Sequence, residues 1–254
     1  MELHFDCTQC GRCCHDLRLT LSVAEAQAWA GRGHQVDLLA EGWPWPDDGD
    51  PDDPVMQWRK ATSFPALVGD VPFRINLRLV ARHEGPCPHL LPDMRCGNYS
   101  NRPRICRIYP LESRPFEQVT PEARKCPPEA WNSALPVLER NGAPADASTA
   151  ALLADHRRTM IEDVDLKGRL AGALGFTLSA LAGEGLAVCE VDPSELLVAF
   201  EEAEEQLWAT PEHWTIVSNR QNTVDMLAGL DCPARLIAAG SAYLPSFADD
   251  RLPE

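Results

Sequence analysis

The most regular pattern of apolar and polar positions lies at 71–82, where Phe73, Ile75, Leu77 and Leu79 alternate with Arg74, Asn76, Arg78 and Val80. A period of two, with one apolar and one largely basic face, predicts a strand there. Leu17-Arg18-Leu19-Thr20-Leu21 alternates in the same way and predicts a shorter one. Ser22 and Glu25 then form a capping box, which starts a helix over 24–30 that Gly31 and Gly33 end. Residues 41–54 are crowded with Pro, Asp and Gly and predict a surface loop, with Trp43 and Trp45 folded back on the core.

Further along, the period changes. Leu152, Leu153, His156, Met160, Ile161 and Val164 recur at helical spacings behind a Ser148 or Thr149 cap. Asp192-Pro193-Ser194-Glu195 gives a cap, a first-turn proline and an acid, and predicts a helix carrying Leu196, Leu197, Phe200 and Leu207. Thr210-Pro211-Glu212 and Cys232-Pro233 predict two more helix starts, and 129–140 another short helix. Residues 141–148 read as a linker. The expected fold class is α+β: a small irregular cysteine module with a few short strands and helices over 1–128, then a mainly α-helical region over 129–254.

Charge divides the chain in the same place. Residues 1–126 hold 15 Lys+Arg and 17 Asp+Glu, whereas 127–254 hold 8 and 21. The acidic second half repels phosphate backbones and anionic lipid, which argues against general nucleic-acid or membrane binding and leaves a protein partner as the expectation. No apolar run is long enough to span a bilayer, and no basic-then-apolar leader precedes the first cysteines. The expected compartment is the cytoplasm, where thiols stay reduced.

Cysteine usage adds the chemistry. Cys7, Cys10, Cys13 and Cys14 fall within eight positions, and Cys87, Cys96, Cys106 and Cys126 follow. A Cys-x2-Cys turn aims two sulfurs at one point, as tetrahedral zinc or one edge of an iron–sulfur cluster needs. Cys7, Cys10 and Cys13 repeat that spacing, and three convergent thiols with one remote cysteine match ferredoxin-type 4Fe–4S ligation. Gly11 lets backbone pack closely against such a centre. Neighbouring side chains diverge, so Cys13 and Cys14 serve different metals or different irons of one assembly. Eight thiols make either two four-cysteine sites or one cluster with spare thiols, and the spacing leaves both open. So much thiolate excludes the hard metals Mg²⁺ and Ca²⁺.

Arg12, Arg95, Arg102, Arg104 and Arg107 lie among these cysteines. They either offset thiolate charge or pair with acids such as Asp93 and Glu112. His15 and His89 are read as hydrogen-bonding supports rather than ligands, Tyr99 and Tyr109 as packing residues, and Cys189 and Cys232 as small buried side chains. Phosphate-loop, zinc-helix and nucleophile-elbow motifs are missing. The spacing also differs from the Cys-x3-Cys-x2-Cys of radical S-adenosylmethionine enzymes.

Phe5-Asp6-Cys7-x2-Cys10-Gly11-x-Cys13-Cys14, the Cys87 to Cys96 segment and Tyr99-Ser100-Asn101-Arg102-Pro103-Arg104-Ile105-Cys106-Arg107-Ile108-Tyr109-Pro110 together resemble the YkgJ-like cysteine-cluster family, over about 5–126. The resemblance implies a zinc- or iron-chelating domain. Its metal, an iron–sulfur cluster or zinc, would be held by Cys7, Cys10, Cys13, Cys14, Cys87, Cys96 and Cys106, with Cys126 as the trailing cysteine, in a structural or redox role. One branch is similar to flagellin lysine N-methylases, which makes a protein-modifying enzyme the alternative function.

Overall fold

The computed structural model describes residues 2–240 and 242–247. Its strands are β1 (Glu2–His4), β2 (His15–Leu21), β3 (Val36–Pro44), β4 (Phe64–Val68), β5 (Val71–Pro86), β6 (Val137–Arg140), β7 (Ala143–Pro144), β8 (Leu178–Leu181), β9 (Gly185–Glu190), β10 (Thr215–Ser218), β11 (Ala234–Leu236) and β12 (Tyr243–Pro245). Its helices are α1 (Val23–Ala30), α2 (Pro54–Ala61), α3 (Arg104–Ile108), α4 (Ala147–Glu162), α5 (Val164–Ala173), α6 (Pro193–Glu204) and α7 (Gln221–Ala228). The chain forms two compact units, one of 1–21 with 81–159 and the other of 22–80 with 160–254. It passes from one to the other after Leu21, within β5 and within α4.

The second unit is built on a mixed sheet. Five of its strands follow the order β11-β10-β8-β3-β5, with β4 on β5 and the β9–β12 pair on β3. β8, β10 and β11 run parallel, with Ile216 level with Ser179 and Ala234, and β3 is parallel to β8. β4 and β5 form a hairpin with Phe64 opposite Ile75. The alternation read along β5 is structural: Phe73, Ile75, Leu77 and Leu79 are fully buried. Its polar face is satisfied by Arg78 pairing with Glu41 and by Asn76 Nδ2 donating to the Thr62 carbonyl at 2.6 Å. α1 packs on α6, and α6 on α5. The Ser22 cap is present: Ser22 Oγ accepts from Glu25 N at 3.3 Å, and Ser22 N donates to Glu25 Oε2 at 2.9 Å.

The mainly α-helical second region is overturned. Residues 129–254 hold β6 to β12 as well as α4 to α7, and the sheet formed from both parts of the chain has nine strands among the described residues. Three physical reasons account for the error. Central parallel strands are covered on both faces, so they show no alternation. β8 and β10 are four-residue runs that contain buried Ser179 and Ser218. Thr210-Pro211-Glu212 and Cys232-Pro233 look like helix starts, but each leads into a strand. Thr215 N donates to the Thr177 carbonyl at 2.9 Å, and Ile216 N to that of Pro233 at 2.9 Å, so pairing outweighs the local start signal. The helix expected over 129–140 is a single 3-10 turn (Pro128–Trp131) followed by β6. The loop expected over 41–54 begins later, because β3 runs on to Pro44, where Gly42 accepts from Ala182 N at 3.0 Å. Trp45 is buried there as expected.

The first unit has less regular structure. β1, β6 and β7 form a three-stranded antiparallel sheet. β2 is β5's neighbour in the larger sheet. Its small core joins Ile108, Leu111 and Leu153, with Val119, Leu138 and Leu152 packed against them. Charge differs sharply between the units: the first carries 13 Lys+Arg and 12 Asp+Glu, the second 10 and 26. All eight clustered cysteines are in the first, whereas Cys189 and Cys232 are in the second.

Replacing Ser22 by Ala removes the cap of α1 and is expected to lower unfolding stability by about 1 kcal/mol. Urea unfolding of the full chain measures this.

Candidate metal centre

Three backbone hydrogen bonds fix the ends of the first cysteine run. Asp6 N donates to the Ala130 carbonyl at 3.1 Å, and Phe5 N to that of Pro136 at 3.0 Å. The Phe5 ring lies 4.8 Å from that of Trp131. Cys7 is thereby held beside the segment that begins at Cys126. At the other end, Cys87 N donates to the Cys14 carbonyl at 2.7 Å. Cys14 therefore lies beside the loop that β5 delivers.

Between these ends, Gly11 makes the turn. Its φ is +68°, and Cys14 N donates back to its carbonyl at 2.9 Å, closing a 3-10 turn over Arg12–Cys14. A Cβ on Gly11 would stand 2.6 Å from Met94 Cε, the flexible end of that side chain, so the positive φ is the main reason for a glycine here. His15 Nδ1 lies 3.0 Å from the Gly11 carbonyl, which makes His15 a support of the turn, as expected for a histidine beside the ligands.

The loop after β5 is equally compact. Leu90 N donates to the Cys87 carbonyl at 2.9 Å, Leu90 bridges to Cys96, and Gly97 N donates to the His89 carbonyl at 2.7 Å. Cys87 and Cys96 are drawn together across this loop, and the backbone N–H of His89 donates to the Cys87 sulfur. Pro103 starts α3 and places Cys106 in its first turn. Tyr109, at the end of α3, accepts from Lys125 N at 3.0 Å and from Cys126 Sγ at 3.8 Å. Lys125 Nζ donates to the His15 carbonyl at 2.9 Å.

The thiols interact electrostatically in a definite pattern. Cys13, Cys10 and Cys7 act on Cys126 and help to raise its thiol. Cys87, Cys106 and Cys96 act on Cys14 in the same sense. The sulfurs of Cys13 and Cys14 are 4.0 Å apart, and Cys13 also lies within reach of Cys87 and Cys106. Burial, reinforced by Cys87, Cys13 and Cys96, pushes the Cys106 thiol up to about 12. Burial raises Cys87 and Cys126 as well. The hydrogen bond between Cys13 and Cys14 raises the first and lowers the second.

Of the five arginines, Arg95 pairs with Asp93, its Nε 2.7 Å from the carboxylate, and Arg104 with Asp155 at 2.8 Å. Glu112 is taken by Arg124. Arg102 stacks on Tyr99 at 3.7 Å, and its charge also acts on Cys106, favouring the thiolate. Arg12 and Arg107 are exposed. The contacts of Lys125, Tyr109 and Met94 are not marked by any sequence pattern. They depend on the fold bringing 109 and 125–126 back to the first cysteines.

All ten cysteines are free. Thiols raised by burial, as at Cys87, Cys106 and Cys126, are of the donor type that suits a soft cation, which would take the ionised form. Among the described residues, no three His, Cys, Asp or Glu side chains yet meet at one metal-binding point. The thiols are gathered without being closed on a centre.

A cysteine-rich module carried on an α+β frame is what the fold and the thiols define. The family comparison agrees. Residues 6–127, just under half of the chain, match the CxxCxxCC family, described as "Putative zinc- or iron-chelating domain". No curated protein and no solved structure matches the chain. Among the described residues, no helix is long and apolar enough to cross a membrane.

Two outcomes are expected here. Gly11→Ala places a side chain where φ is positive and Met94 intervenes, and should destabilise the first unit by about 1–2 kcal/mol and lower metal content; thermal unfolding and elemental analysis check this. Burial pushes the Cys106 thiol up to about 12, so it must shed a proton to become a thiolate ligand. Zinc titrated into the metal-free chain should release protons and bind more tightly as pH rises from about 5 to 8.

Proposed function

We propose that this chain is an iron–sulfur protein, with a 4Fe–4S cluster held by Cys7, Cys10, Cys13 and Cys126. The observation that carries this reading is the neighbourhood of Cys126. The thiol most distant in sequence is raised by the three of the Cys-x2-Cys-x2-Cys run, and the Asp6 N to Ala130 carbonyl bond at 3.1 Å holds the start of that run beside its segment. A triple run with one remote cysteine, itself followed by proline as Cys126 is by Pro127, is the ferredoxin-type ligand pattern. Such a cluster would supply one-electron chemistry when bound.

The chain's own residues have two tasks in this reading. The four cysteines tie the N-terminal run to the 121–131 segment, which otherwise has only short 3-10 turns. In so small a core, metal ligation substitutes for apolar burial, which makes the role structural as well as redox. Tyr109 and Lys125 orient Cys126 from behind. The acid excess of the second unit supports a protein partner with a basic face.

Protein purified without oxygen should be brown and contain iron and acid-labile sulfide, and Cys10→Ser should lose the colour. Colourless protein carrying only zinc would overturn the iron assignment and keep the chelating role. Protein free of both metals would overturn both.

A further inference from the structure

The loop after β5 has two features that thiol chemistry does not need. The first is exposed apolar surface. Among the described residues of the first unit, the large apolar side chains left exposed are Leu91, Met94 and Tyr99, all on this loop. Met94 N donates to the Leu91 carbonyl at 2.9 Å and Leu91 N to that of Arg95 at 2.8 Å, so 91–95 is a tight turn. Met94 sits on that turn at φ +67°, in the left-handed region that favours glycine or asparagine over methionine. Its methyl end lies over Gly11, and Leu91 lies against Gly97, two residues before Tyr99. Neither burial nor backbone preference calls for a methionine at 94, and such an outlier points to function. The second feature is charge. Residues 87–107 hold four arginines and one acid, Asp93, with no lysine or glutamate, in a chain of net charge −15. Arg12, next to Gly11, is exposed. Arg102 stacks on Tyr99 at 3.7 Å, and its Nε donates to the Tyr99 carbonyl at 3.1 Å.

We propose that the loop 91–99 is a docking surface for a protein partner that presents an apolar contact within an acidic rim. This holds whichever metal the thiols carry. The surface is distinct from the acid-rich second unit, whose partner would be basic. Interface centres are enriched in aromatic residues, Met and Arg and depleted in Lys, Glu and Asp, which is the composition of this stretch. Met94 and Leu91 supply the apolar contact, and the unbranched thioether of Met94 adapts its shape to the opposing surface. Arg12 and Arg102 supply a positive edge that carboxylates on the partner complete. Charge selects the class of partner. A nucleic acid or an anionic membrane is negative along its whole length and meets the repulsion of the whole chain, whereas a compact protein brings its acids to the loop alone. The acid excess of a second copy would match the loop in sign, but that contact joins unlike surfaces head to tail and leaves open ends unless a ring closes.

Photo-crosslinking tests the surface. The full chain, with Tyr99 replaced by p-benzoylphenylalanine, is irradiated in a low-salt extract of the cells that make it, and the adduct is identified by mass spectrometry. One protein adduct is expected, with its linked peptide among Asp and Glu residues. Arg12→Glu and Met94→Asn, each added to the labelled chain, should lower its yield about tenfold. Met94→Asn should also keep the wild-type metal content and unfold no earlier than the wild type, because asparagine suits the left-handed backbone. Absence of an adduct, a linked peptide without acids, or a yield that neither variant lowers would overturn the proposal. So would an adduct with a nucleic acid, a lipid or a second copy of the chain. Earlier unfolding of Met94→Asn would also contradict it, because packing on Gly11 would then account for the methionine.

Discussion

Sulfur ligands must converge on a metal from several directions, and a chain can meet that demand only by bringing distant segments together. Here two backbone contacts do so. Asp6 N to the Ala130 carbonyl holds one end of the first cysteine run, and Cys87 N to the Cys14 carbonyl holds the other. The turn between them, with Gly11 at positive φ, carries Cys10, Cys13 and Cys14 past both neighbours. The Cys13 and Cys14 sulfurs are 4.0 Å apart, so these adjacent side chains do not diverge as the sequence reading expects.

The same arrangement explains the electrostatics. Clustered thiols in a unit with little apolar core would repel one another as thiolates, and burial raises those of Cys87, Cys106 and Cys126. Metal binding and folding of this unit are therefore coupled, as in other small modules whose core is short of apolar area. The other unit needs no such help. Its sheet buries Phe73, Ile75, Leu77 and Leu79 on one side of β5 and leaves the acid excess on its own surface.

Some of this was legible in the sequence because it is local. The β5 alternation, the Ser22–Glu25 cap, the Asp192 cap of α6 and the cysteine spacing all act within a few residues. The short parallel strands β8, β10 and β11 were hidden because partners far along the chain define them, and because Ser179 and Ser218 interrupt their apolar character. Thr210-Pro211 and Cys232-Pro233 carry real start signals that tertiary pairing overrides. The eight cysteines could be named from spacing, but which thiols are neighbours depends on the return of 87–106 and 126 to the N-terminal turn. The contacts of Tyr109 and Lys125 there have no local signature.

The central claim is that the clustered thiols are the metal's ligands. X-ray absorption at the metal edge of the intact, anaerobically purified chain measures the first coordination shell directly. The account predicts a shell of sulfur alone, with no nitrogen or oxygen scatterer. A shell dominated by nitrogen or oxygen would contradict it.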